Sequence, residues 1–208
     1  MLKRSSSPGF ADMIFYAVIS ACTILVVKLL FPSVIPFGIF EFWKMKGDIT
    51  DWMWYGLPVF LYGVIMSVIR STMSTNDREL NENAEVILVG GGVVSILAGV
   101  LEEISFRWLY FLANIVWIKV TNFCFFGFMG LGLMEIFYSY IAGPIANFTT
   151  LGYLEPYLWH TSGWAVGAAM LSSNSFFRDG HKYQGFLGWV RSWFFGMYCF
   201  WILFEYGL

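Results

Sequence analysis

Residues 99–111 read GVLEEISFRWLYF, an apolar stretch interrupted by three charges. Glu102, Glu103 and Arg107 stand inside an otherwise apolar run, with VILVGGGVVSILAGV before them (86–100) and WLYFLANIVWI straight after (108–118). A charge at the centre of a bilayer costs about 2.5–3.5 kcal/mol on insertion scales. Three charges here are therefore expensive unless they pair or hold water. Glu103 and Arg107 are spaced i, i+4 with the acid first, the favourable orientation for a helical ion pair. Glu102 lies about 100° round an ideal helix from Glu103 and points elsewhere. One carboxylate is thus explained by the arginine and the other is left over.

Composition sets the frame for that stretch. The chain has 208 residues, of which 58% are hydrophobic and 12% charged, and its mean hydropathy is +0.66. A soluble domain normally carries about 25% charged residues. Aromatics reach 21%, including ten Trp and eleven Tyr, residues that favour the membrane–water interface. The expectation is an all-α protein: a polytopic transmembrane bundle of about six spans with interfacial helices, forming one membrane domain over residues 1–208. A net charge of -2 argues against a nucleic-acid surface. Cys22, Cys124 and Cys199 all sit in apolar runs and read as packing residues, with no disulfide framework and no CxxC pair.

The expected spans follow from the apolar runs. The first covers about 11–31; Lys3 and Arg4 precede it, and it reads as a retained signal-anchor. Residues 32–52 look interfacial, with Lys44 and Lys46 as anchors. A second span covers about 53–70, followed by an aqueous loop, STMSTNDRELNENAE, at 71–85. Residues 86–120 exceed the ~20 that suffice to cross, so a long or broken helix is expected. A fourth span covers about 122–142, residues 143–160 lie along the interface, and a fifth span covers about 161–177. The polar break RDGHK (178–182) separates it from a last span over about 186–206. Small residues recur at Gly91, Ser95 and Gly99, and again at Gly188, Ser192 and Gly196, a spacing that lets helix backbones approach.

A water beside a dry carboxylate becomes a hydrolytic nucleophile when a second group helps polarise it. The chain has two histidines, His160 and His181. His181 by itself, near Arg178, Asp179 and Lys182, reads more readily as a solvated loop residue than as a functional one. There is no HExxH, no GxGD and no GxSG, which sets aside zinc, aspartyl and rhomboid-type intramembrane proteases. Two histidines without clustered thiolates do not make a catalytic zinc site, so neither metal nor cofactor is expected.

Glu102-Glu103-Ile-Ser-Phe-Arg107 resembles the EExxxR motif of the CAAX-protease and bacteriocin-processing (CPBP, Abi) family of intramembrane glutamic endopeptidases. Phe177-Arg-Asp-Gly-His181 resembles that family's second motif, FxxxH, and the family-like region covers about 86–208. The resemblance implies that Glu102 is the general base and His181 its partner, with Glu103, Arg107 and Phe177 shaping the site. It also implies a membrane-anchored or prenylated peptide as substrate, and a bacterial inner, plasma or endoplasmic-reticulum membrane as location. A third motif, HxxxN or HxxxD, supplies the oxyanion stabiliser in the family. No histidine follows His181 in the sequence, so a further helix carrying that motif is expected beyond Leu208. His160 precedes the second motif and does not match the third; Asn174 is a polar stand-in. Glu135, read as mid-span, could neutralise Arg107 or Arg191. Two other readings stay open: a non-proteolytic relative that holds a partner helix or lipid, and a proton-coupled transporter relaying through Glu102, Glu103, Glu135 and His181.

Overall fold

The computed structural model describes residues 10–73, 99–160, 163–182 and 185–207, and all regular structure among them is helical. The aqueous loop expected at 71–85 therefore lies outside the described residues apart from its first three positions, as do Lys3, Arg4, Gly91 and Ser95. The chain divides into two compact units, Met1–Lys44 with Glu102–Leu208, and Met45–Leu101.

In the first unit, α1 spans Phe10–Leu30, and a 3-10 turn at Glu41–Trp43 follows. A π-helix occupies Glu103–Tyr110 and passes directly into α3, Phe111–Cys124. Then come a short helix, Leu133–Phe137 (α4), a π-segment, Tyr138–Ala142, and α5, Gly143–Thr149. A third π-segment, Pro156–His160, precedes α6, Trp164–Gly180, and α7, Gly185–Tyr206. The second unit contains α2, Ile49–Met73, which carries Pro58 in its interior.

The core of the first unit is aromatic and aliphatic. Phe111, Leu112 and Ile115 of α3 meet Ala169 and Met170 of α6 and Phe200 and Phe204 of α7, all of them buried. The rings of Phe37, Phe42, Phe111, Phe200 and Phe204 pack mostly tilted or edge-on, with Phe42 and Phe204 crossing at 83° and 5.6 Å. Edge-to-face contact places the positive ring edge against the negative face and adds to the gain from area burial. The loop after α1 is tied down by lysines: Lys28 Nζ donates to the Ile35 carbonyl at 2.8 Å and Lys119 Nζ to Val34 at 2.7 Å. Trp108 Nε1 donates to the Ile39 carbonyl. These bonds satisfy carbonyls that the irregular loop leaves without helical partners.

Close helix approach depends on small residues, as the i, i+4 stripe on α7 suggested. Gly188, Ser192 and Gly196 are all buried. A Cβ at Gly196 would lie 1.8 Å from Asn174 Oδ1 on α6, so only hydrogen fits there. Gly167 has the same constraint, since its Cβ would lie 1.9 Å from the Tyr138 hydroxyl.

Two expectations are corrected. The continuous span expected at 122–142 is broken: α3 ends at Cys124, and Phe126 and Gly130 take φ of 63° and 80°, left-handed values that no helix continues through. The chain there folds back, and the Asn122 side chain accepts the Glu135 backbone N–H at 3.1 Å. Cys22 and Cys124 are exposed rather than packed inside. Of the six crossings expected, one described helix, Gly185–Tyr206, is long and apolar enough to cross a membrane by length and composition; Ile14–Leu30 is apolar but shorter.

Much of the apolar surface is turned outward. Phe15, Leu29, Phe31, Phe148, Leu151 and Leu187 are all well exposed. Soluble monomers seldom expose contiguous apolar patches beyond a few hundred Å2.

Candidate functional site

The two charged motifs sit on helices that pack together, the π-helix Glu103–Tyr110 and α6. Each turn of a π-helix holds more residues than an α-turn, and short π-segments are frequent at functional sites. Glu102 takes helical dihedrals just ahead of it, φ −64° and ψ −44°, and is half-buried.

The expected ion pair forms. Arg107 Nη1 lies 3.2 Å from Glu103 Oε1, with the arginine side chain wholly buried and that of Glu103 35% exposed. This is a charge contact rather than an aligned hydrogen bond, because none of the three guanidinium nitrogens has a hydrogen-bond partner among the described residues. Aromatic faces do part of the work of solvent: the guanidinium carbon is 4.1 Å from the Phe177 centroid and 5.9 Å from that of Phe200. Cation–π contact is worth up to about 2 kcal/mol or more when desolvated. From α7, Cys199 lies near the Glu103 carboxylate. Among the described residues Glu103 is therefore ion-paired with Arg107, and Glu102 is in no ion pair.

On α6, Ser173, Phe177 and His181 recur at four-residue intervals and share one face. The Ser173 hydroxyl donates to the Phe106 carbonyl within the π-helix. The Phe106 and Phe177 rings meet edge-on at 5.6 Å. His181 stands at the C-terminal cap of α6, its ring 4.5 Å from that of Phe177 and its Nδ1 2.8 Å from the Phe177 carbonyl oxygen. A carbonyl only accepts, so Nδ1 carries the proton in the neutral ring and Nε2 is the basic nitrogen. One link between the two motifs thus runs from Arg107 through Phe177 to His181.

Beyond His181 lies a second charged group. The Asp179 carboxylate receives Arg178 at 3.1 Å, Lys182 at 2.8 Å and the Trp189 indole N–H at 2.9 Å. Partial burial pulls its pKa upward, but the hydrogen bonds from Lys182 and Trp189, and the Arg178 charge, outweigh burial and hold the carboxyl below its ordinary value.

The remaining sequence candidates lie elsewhere. Asn174 is buried and faces α7: its Nδ2 donates to the Trp193 carbonyl at 3.0 Å, and Oδ1 abuts Gly196. It clamps two helices. Glu135 is exposed in the first turn of α4, with no ion pair among the described residues; Arg107 takes Glu103 instead. The reading of Glu135 as a mid-span counter-charge is therefore corrected, because the break after Cys124 removes the span that would have buried it. His160 ends the third π-segment, and its side chain lies outside the described residues. Sequence reasoning missed Ser173 and Cys199. The i, i+4 face shared with Phe177 and His181 would have found Ser173; nothing local marks Cys199. Among the described residues, no group of three His, Cys, Asp or Glu side chains is placed to hold a metal ion.

Comparison with protein-family models, curated proteins and solved structures returned no match.

Proposed function

We propose that this chain is an integral membrane endopeptidase of the glutamic type, resembling the CAAX/Abi enzymes, which cleaves a membrane-anchored or lipidated peptide with a water activated by Glu102 and His181. The observation that carries the reading is the Arg107–Phe177–His181 stack, which couples EExxxR to FxxxH through 4.1 Å and 4.5 Å contacts. The membrane setting is supported by the outward apolar side chains and by the α7 helix.

The division of labour follows from the charges. Glu103 faces the buried Arg107 at 3.2 Å, so its charge is committed to the arginine. Glu102 is in no ion pair among the described residues and is the carboxylate suited to take a proton from water. The resulting hydroxide adds to the scissile carbonyl carbon and places negative charge on the carbonyl oxygen. His181, basic at Nε2, shares the proton and helps deliver it to the leaving nitrogen as the C–N bond breaks.

The test is cleavage of a lipidated, fluorogenic peptide by the chain reconstituted in vesicles. Glu102→Gln and His181→Ala should each lower turnover by about 10²–10⁴, the usual contribution of a positioned acid–base group. Turnover that is unchanged in Glu102→Gln removes the mechanism.

A further inference from the structure

The turn between α6 and α7 carries a cavity that the proposed cleavage does not use. Lys182, Gly185, Phe186 and Trp189 line an open-sided space of about 350 Å3 with mainly apolar walls. Trp189 is fixed from two sides: its N–H donates to Asp179 at 2.9 Å, and the Arg178 guanidinium lies 4.0 Å from its ring centroid. Lys182 also contacts Asp179, but its side chain is 62% exposed. An ammonium has three donors, and Asp179 takes one of them. Arg178 and Lys182 against Asp179 leave one surplus positive charge at the rim. Phe186 and Leu187, 74% and 73% exposed, stand beside it.

We infer that this cavity binds the phosphate of an anionic phospholipid, with Lys182 as counter-charge and Trp189 and Phe186 against the glycerol and upper acyl carbons. The inference rests on the membrane setting proposed above. Tryptophan and basic residues together are the side chains that occupy the headgroup level of a bilayer. A free phosphate ion would gain nothing from apolar walls, and one solvated ammonium holds it weakly. A lipid supplies both halves: an anion for Lys182 and hydrocarbon for the aromatic wall. Lys182 directly follows His181, so a lipid seated there steadies the turn that carries the second motif.

The test uses the full chain in nanodiscs of phosphatidylcholine mixed with phosphatidylglycerol, with native mass spectrometry of the lipids retained on release. Wild-type chain should retain phosphatidylglycerol preferentially. Lys182→Ala should lower that preference about fivefold, equivalent to about 1 kcal/mol for one lysine near an anionic surface. Lys182→Arg should leave it unchanged, and Phe186→Ala, at an exposed position, should weaken it without unfolding. Equal preference in wild type and Lys182→Ala overturns the inference. So does displacement of the lipid by inorganic phosphate alone, which would mark a simple ion site. A chain that washes off membranes in carbonate overturns the membrane reading itself; one that stays in the membrane without lipid preference overturns this inference alone.

Discussion

The Arg107 guanidinium carbon sits 4.1 Å from the centre of the Phe177 ring, and Phe177 stands one helical turn before His181, whose ring it also touches. One aromatic side chain therefore serves as wall for a buried cation and as support for a histidine. Replacing it separates the two jobs. Phe177→Ala opens a cavity and should cost about 3–5 kcal/mol. Phe177→Leu keeps most of the volume and loses the cation–π contact, worth about 0.5–2 kcal/mol. Unfolding in mixed detergent micelles measures both, and a Leu variant as stable as wild type would show that the ring face contributes nothing.

Glu102 and Glu103 should separate cleanly on mutation. Glu103→Gln leaves the buried Arg107 without its counter-charge, and breaking a buried pair costs about 3–5 kcal/mol. The partial exposure of Glu103 puts the expected loss at the lower end, about 3 kcal/mol, by the same rule. Glu102→Gln should leave the melting temperature within about 2 °C of wild type, as expected for a substitution outside the ion pairs among the described residues. If the two variants destabilise equally, the assignment of separate roles is wrong.

Gly196 is the tightest point of the α6–α7 contact. Gly196→Ala places a methyl 1.8 Å from Asn174 Oδ1, and the overpacking should cost about 1–3 kcal/mol. Asn174→Ala alone should also destabilise, because it frees the Trp193 carbonyl. The double variant should lose less than the sum of the two, which a double-mutant cycle in urea reads directly. Strict additivity would disprove the clash.

Asp179 sets an acid sensitivity at the end of α6. Its folded-state pKa lies below the ordinary value, so its contribution is present above the unfolded pKa, about 3.9, and is lost as pH falls through the lower folded value. Thermal stability of wild type should therefore fall below about pH 4 more steeply than that of Asp179→Asn, by the same linkage. Parallel pH profiles for the two proteins would count against this carboxylate.

Much of the helical layout was legible because long apolar runs leave few alternatives. The first span was expected at about 11–31 and α1 is Phe10–Leu30; the last was expected at about 186–206 and α7 is Gly185–Tyr206. The Glu103–Arg107 pair was legible from spacing alone. Hydropathy did not reveal the break at 125–132, where Phe126 adopts a left-handed conformation that composition gives no reason to expect. Glu135 was misplaced as a direct result. Cys199 and Asn174 act across helix contacts between residues remote in sequence, and no local pattern encodes such a contact.

The π-helix at Glu103–Tyr110 also has a consequence for tolerance to insertion and deletion. It runs without interruption into Phe111, Leu112 and Ile115, which fill the core. Removing one residue from it would rotate every following side chain by about a quarter of a turn around the helix axis. The charged side and the buried side of this rod are thus locked in phase, and a lineage that lost a single codon here would have to give up the acid–arginine pairing or the aromatic core.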